Sequence, residues 1–178
     1  FDPGPNPHGR PPILVGGFGP GMVGVAGEVA DGLIVHPFTT RRSMEEITLP
    51  ALDRGLERGG RGRGDVEVVW VTMVVTWSDD AGRDQAMRSA KGQLAFYGST
   101  PAYRPTLDLH GWGDLQPELN ALSKAGEWDR MVDLVPDELV EAITVCGPRD
   151  EIAAQLAERT DGITDHVGLV NSRNPDPG

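Results

Sequence analysis

Residues 11–37, PPILVGGFGPGMVGVAGEVADGLIVHP, read as strand, glycine-rich turn, helix, strand. Pro12-Ile13-Leu14-Val15 is a short apolar run of the kind buried on both faces of a parallel sheet. Gly16, Gly17, Gly19 and Gly21 follow, with Pro20 among them. Between Met22 and Ala30, the residues Met22, Val25, Ala26 and Val29 recur at helical spacing, and Leu33-Ile34-Val35 resumes the strand pattern. A glycine-rich turn before a helix lets backbone amides approach a ligand, and the helix N-terminus favours phosphate. The same glycines suit any tight turn that packs a helix close to a strand, so both readings stand. The spacing is neither G-x-G-x-x-G followed by an acidic ribose ligand nor a lysine-containing P-loop.

Further along, the same alternation continues. After the loop His36-Pro37-Phe38-Thr39-Thr40, Ser43 is placed as N-cap of a helix with Glu45 and Glu46 in its first turn. That helix runs to Gly59-Gly60, with Pro50 as a kink. The arginines of the connector RGGRGRGD read as a solvated loop. Val66 to Trp77, dense in β-branched and aromatic residues, is the strongest strand signal. Ser78-Asp79-Asp80 opens a helix to about Phe96. Residues 98–136 depart from the alternation, with short helices expected over Pro117–Ser123 and Trp128–Leu134 and another after Pro136. Tyr103, His110 and Trp112 fall on turn-like sequence there, which suits a lid or ligand wall. Trp128 reads as a packing anchor. Arg149–Arg159 is amphipathic, with Ile152, Ala153, Leu156 and Ala157 inward, and Asp165–Val170 closes the order as a strand. Strands alternating with helices predict a parallel α/β sheet with right-handed crossovers. Four strands fit an open doubly wound sheet or half of a (β/α)8 barrel.

Composition excludes several classes. With 178 residues, 38% of them hydrophobic, the chain suffices for one ordinary domain. A net charge of −11 and a pI near 4.7 give no basic footprint, so no nucleic-acid partner is expected. Apolar runs are too short to span a bilayer, so no membrane partner is expected either. Cys146 is the only cysteine, which fits a cytoplasmic protein without internal disulfides. His8, His36, His110 and His166 form no H-E-x-x-H pattern or Cys/His cluster, so no metal is expected. The G-x-S-x-G elbow is absent. The start at Phe1 with DPGPNPHGRPP, and the end on NSRNPDPG, read as a loop or disordered leader over 1–10 and a flexible tail over 171–178. They give the expectation of a piece of a longer protein; N-terminal processing produces the same start.

Three blocks carry a family resemblance: the pair Gly16-Gly17 with Gly19-Pro20-Gly21-Met22, then Ala26-Gly27-Glu28-Val29-Ala30-Asp31-Gly32, then LPALDRGLERGGR. Together they resemble the luciferase-like monooxygenase superfamily. AFYGSTPAYRP with LHGWGDL and GEWDRM resembles an actinobacterial-type branch of oxidoreductases that use coenzyme F420, a deazaflavin. VCGPRDEIAAQL resembles the family's C-terminal region, so the likeness runs from about Pro11 to Val170.

The resemblance implies a (β/α)8 barrel with its active site at the C-terminal ends of the strands. It implies that 11–170 is the C-terminal half of that barrel, since members are about twice as long. It further implies that Gly16, Gly17, Gly19, Pro20, Gly21 and Met22 hold the cofactor's phosphate-bearing tail, with Asp31 and Gly32 serving the turn into the next strand. The cofactor expected is coenzyme F420, with FMN as the alternative. The reaction expected is hydride transfer with a small-molecule organic substrate. His36 and His110 are the catalytic candidates, and a loop histidine bonded to backbone is the other reading of His36. Phe38, Trp77, Trp112 and Asn171 are candidates for the substrate wall or lid. Two open sheet edges imply a homo-oligomer or pairing with the missing half-barrel; a non-catalytic half-barrel that assembles is the rival from another class.

Overall fold

The computed structural model describes Gly4 and residues 7–171. Part of the expected leader, and the expected tail from residue 172 on, lie outside the described residues. Among the described residues are five strands: β1 (Leu14–Gly17), β2 (Gly32–Val35), β3 (Glu67–Trp77), β4 (Val145–Pro148) and β5 (His166–Asn171). All pairings are parallel. Val69 and Trp70 pair with both β2 and β5, which therefore lie on opposite edges of β3. The order is β1-β2-β3-β5, and β4, which the sequence reading did not count as a strand, pairs with Val74–Trp77.

The registers along β3 are unbroken, so its side chains alternate strictly. Val68 and Trp70 fall on one face, in a cluster with Val23 and Ala26 of α1 (Pro20–Val29) and Ala51, Leu52 and Leu56 of α3 (Leu49–Gly59). Met73 and Val75 fall on the other face. A second cluster covers them, built from α4 (Asp80–Gly98), α5 (Arg104–Leu109), α6 (Leu115–Ala125), α7 (Trp128–Leu134) and α8 (Asp137–Ile143). The helix α9 (Ile152–Thr160) connects β4 to β5.

α1 and α3 meet through glycine. A Cβ on Gly27 would lie 2.5 Å from the Leu52 carbonyl oxygen, and one on Gly59 would lie 2.6 Å from that of Glu28. The buried face of α1 is Val23, Gly24, Ala26 and Gly27. This corrects the expected stripe: Met22, Val25 and Val29 are exposed, Val29 at 72%. Of the four residues noted at helical spacing only Ala26 is buried, because the close backbone approach of α3 takes the small residues. Ala153 and Ala157 are likewise exposed, and α9 turns Arg159 and Thr160 inward instead.

At the N-terminal ends of the strands two aspartates serve as ties. Asp31 accepts the Ile13 amide at 2.7 Å and Arg10 at 2.6 Å, and this keeps its carboxyl below the ordinary range. Asp165 does the same for β5, accepting the Val68 amide and Arg63, both at 2.8 Å. Asp31 thus has the turn role expected of it. The connector arginines are not free in solvent: Arg61 bonds the Gly27 and Asp65 carbonyls, and Arg63 bonds Val66.

Local corrections have clear causes. The helix after β2 starts at α2 (Arg41–Ser43), capped by Thr40, whose side chain and Ser43 form a reciprocal capping box; Ser43 is its third residue rather than its cap. A π-helical turn, Met44–Thr48, absorbs Pro50, because Leu49 bonds back to Met44 one residue further than usual. Residues 101–109, expected as turn, form a short 3₁₀ segment and α5. Trp128, expected as a packing anchor, is half exposed and lies outside both core clusters. β1 is not buried on both faces: Ile13 is 57% exposed just before it. Among the described residues no strand covers the outer edge of β1 or of β5, and Val167 and Leu169 of β5 are exposed at 39% and 61%. Among the described residues no helix is long and apolar enough to cross a membrane.

Candidate functional site

Most of the candidate site residues gather at the C-terminal ends of β1 and β2. β1 ends on Gly17, and Phe18 and Gly19 lead into α1. Gly19 has φ +79°, and no side chain caps the helix. A Cβ on Gly16, Gly19 or Gly21 would meet nothing, so the surface over this turn is open backbone. Gly17 differs: a Cβ there would press on Leu33 at 2.9 Å, so it serves packing. The Gly21 and Met22 amides head the helix, and no acidic residue sits in its first turn. Such an end carries about half a positive charge, and a phosphate or carboxylate group is its natural complement.

Beside this turn stands a group of rings. Phe18 meets Tyr103 edge-on at 4.5 Å between centroids, and Tyr103 stacks on His36 at 4.6 Å. Tyr97 meets His36 edge-on at 4.8 Å. Phe38 is fully buried and backs Tyr103, so it supports the group from behind instead of lining a surface. His36 follows β2 directly. Its Nδ1 accepts the Phe38 amide at 3.1 Å. The ring proton therefore sits on Nε2, which lies 3.2 Å from the Tyr103 hydroxyl and donates to it. Burial lowers the His36 pKa to about 4. The imidazole is neutral at physiological pH; it bonds backbone on one side and orients a phenol on the other.

A pH dependence follows. The unfolded histidine takes up its proton near pH 6.5 and the folded one near pH 4. The stabilisation from neutral His36 is complete above pH 6.5 and declines as pH falls toward about 4. His36→Asn, which keeps an acceptor for Phe38, should flatten that part of the profile. Urea midpoints of both proteins from pH 4 to 7 check this; parallel profiles would rule it out.

His110 and Trp112 stack on one another at 5.5 Å. His110 Nε2 lies 2.8 Å from the Thr40 hydroxyl, and Arg42 bonds the Leu109 carbonyl at 2.7 Å. The segment around His110 is therefore strapped to the loop after β2. Burial and the Arg42 charge lower the His110 pKa. Trp112 also lines a groove with Leu115, Leu134 and Pro136. Trp77 ends β3 under the Arg83 guanidinium, 5.9 Å from its ring centre. Asn171 is exposed at the end of β5, in register with Val74. The structure thus joins His36 to the glycine turn through Phe18 and Tyr103, and it leaves Trp77 and Asn171 outside that group. The sequence reading missed Phe18 and Tyr97 as members. Phe18, an aromatic between the glycines of a βα turn, was the available signal. Among the described residues no cluster of metal-ligating side chains occurs.

Comparison with known proteins now bears on the site. The model of the luciferase-like monooxygenase family matches residues 2–166. An uncharacterized protein of Mycobacterium tuberculosis is 47% identical over 167 residues, covering 94% of this chain and 49% of that protein. A 5,10-methylenetetrahydromethanopterin reductase of Archaeoglobus fulgidus is 27% identical over 157 residues, covering 84% of this chain and 45% of the reductase. The solved coenzyme F420 dependent tetrahydromethanopterin reductase of Methanopyrus kandleri superimposes with a TM-score of 0.70 at 24% identity, over 93% of this chain and 46% of that one. The chain spans about half the length of the relatives it matches. The parallel α/β sheet thus has a fold of the (β/α)8 barrel kind. With the family model matching nearly its whole length, the chain belongs to the luciferase-like monooxygenase family.

Proposed function

We propose that this chain forms the C-terminal half of a (β/α)8 barrel that uses coenzyme F420 to transfer hydride to or from an organic substrate. The observation that carries the cofactor reading is the uncapped N-terminus of α1, with open glycine backbone at positions 16, 19 and 21 and no acidic residue in its first turn. A phosphate group fits this cradle. The Gly21 and Met22 amides would hold it, and Pro20, lacking an N–H, opens the helix without a wasted donor. The exposed edges of β1 and β5, and the exposed apolar residues Ile13, Met22, Val25, Val29, Leu169 and Val170, are the surfaces that the remaining strands of a barrel and their helices would cover.

When bound, the deazaflavin supplies the hydride chemistry. The residues of this chain orient and shield. Phe18, Tyr97 and Tyr103 present apolar ring surface next to the phosphate turn. Because the Tyr103 oxygen accepts from His36, its own hydrogen is available to a substrate oxygen, where it would polarise a carbonyl. Burial, and after it Tyr97, raises the Tyr103 pKa, so the phenol keeps that hydrogen at neutral pH.

Fluorescence titration of the chain with coenzyme F420, with FMN as competitor, tests the proposal. The deazaflavin should bind in preference to FMN. Gly21→Asp, which meets no neighbour and places a carboxylate against the phosphate, should weaken binding at least about tenfold while the protein stays folded. Binding unchanged by Gly21→Asp, or preference for FMN, would count against the reading.

A further inference from the structure

The loop after β2 ends on two threonines with opposite fates. The Thr40 hydroxyl is fully used: it accepts the Ser43 amide at 3.0 Å and meets His110 at 2.8 Å. Thr39 is 2% exposed, and its hydroxyl has no partner. Its backbone is held, since Arg159 bonds the Thr39 carbonyl at 3.0 Å. A hydroxyl buried without a partner destabilises a fold, and valine of the same shape would remove that burden.

Thr39 lines a slot that it shares with Phe18, Gly19, Ser43, Ile47 and Thr48. Gly19 is the N-cap of α1, so the slot opens beside the uncapped end of that ten-residue helix. Ile47 and Thr48 belong to the π-helical turn, whose wider winding shapes this wall. The room inside is about 10 Å³, enough for one atom of water size. An orphan hydroxyl, a free helix end and space for one oxygen meet at one place.

We infer that the Thr39 hydroxyl is a side-chain ligand for one oxygen of a phosphate group seated on the N-terminus of α1. The inference rests on the cofactor reading above for the identity of the ligand, and not for the existence of the site. Thr39 comes from the second βα loop, so two successive loops grip the group, one by amides and one by a hydroxyl. Its lack of a partner in the ligand-free chain is then the cost of keeping a donor ready.

The test uses Thr39→Val and Thr39→Ser in the full chain. Two probes are titrated: coenzyme F420, and the same deazaflavin without its phosphate tail. Thr39→Val should lose about tenfold in affinity for the first and nothing for the second, because a hydrogen bond to a charged group is at stake. Thr39→Ser should stay within about twofold of the parent. Without ligand, Thr39→Val should melt no lower than the parent. Unchanged F420 affinity in Thr39→Val would overturn the inference and leave the cofactor reading standing. A lower melting temperature of ligand-free Thr39→Val would also overturn it, by showing a hydroxyl already bonded to a resident water. If the parent binds no deazaflavin, inorganic phosphate decides. Amide shifts at Gly21, Met22 and Thr39 that vanish in Thr39→Val support the site, and their absence removes it.

Discussion

Arg159→Met is expected to cost about 3–5 kcal/mol, a large share of the stability of a domain this size. The Arg159 guanidinium donates to the carbonyls of Ala142, Ile143 and Thr144, at 2.7 to 3.4 Å, and to that of Thr39 at 3.0 Å. The first three close the C-terminus of α8, where the last carbonyls of any helix lack intrahelical partners and where a cation is favoured. The guanidinium also lies 5.0 Å above the Trp70 ring. No carboxylate is among these partners. The charge is held by peptide dipoles and a ring face, and burial lowers its pKa to about 10, so it remains protonated at neutral pH. Methionine keeps most of the stem, which limits the cavity and isolates the loss of the head group. Arg159→Lys keeps the charge and loses the fork, so it should fall between the two. Urea unfolding of the three proteins measures this. A loss below about 1 kcal/mol in Arg159→Met would mean that water reaches those carbonyls unaided.

The second large effect is expected at Gly55→Ala. In an exposed helix interior that change would add roughly 1 kcal/mol of stability through helix propensity. Here the sign reverses. A Cβ at Gly55 would fall on the Gly24 carbonyl oxygen and 2.8 Å from its carbon. Both are backbone atoms in the middle of α1, so neither can swing aside as a side chain would. α1 and α3 must separate, and Ala26, Ala51 and Leu52 lose contact with them. A loss of about 3 kcal/mol or more is expected, in line with overpacked cores. Thermal unfolding of Gly55→Ala beside Gly21→Ala gives the comparison, since a Cβ on Gly21 meets nothing. Equal midpoints for the two variants would refute the close approach of α1 and α3.

Four of the five strands and most helix positions were legible in the sequence, because period-two and period-3.6 patterns are local. The β3 signal from Val66 to Trp77 is an example, observed as Glu67–Trp77. What was not legible depended on partners distant in the chain. Gly24, Gly27 and Gly55 carry the contact between α1 and α3, because each helix presses on the other's backbone from about 30 residues away. Arg159 closes a polar helix face by sequence and turns inward only because α8 ends against it. The glycine turn between β1 and α1 was visible. The pairing of His36 with Tyr103, 67 positions apart, was not, and neither was the isolation of the Thr39 hydroxyl. A pairing shows in the fold, whereas a missing partner shows only once every neighbour has been placed.

β3 carries one core on each of its faces, with no bulge along its length. One residue inserted into it would turn every later side chain to the wrong side and empty both cores together. Its eleven residues are therefore fixed in number by geometry. The helices between β3 and β4 rest on one of those faces and connect strands without belonging to the sheet, so additions and deletions should accumulate there as the family diverges. The evolutionary freedom of this chain lies in that stretch, next to the rings of Tyr97 and Tyr103, where changes in length reshape the mouth of the site without disturbing the strand beneath it.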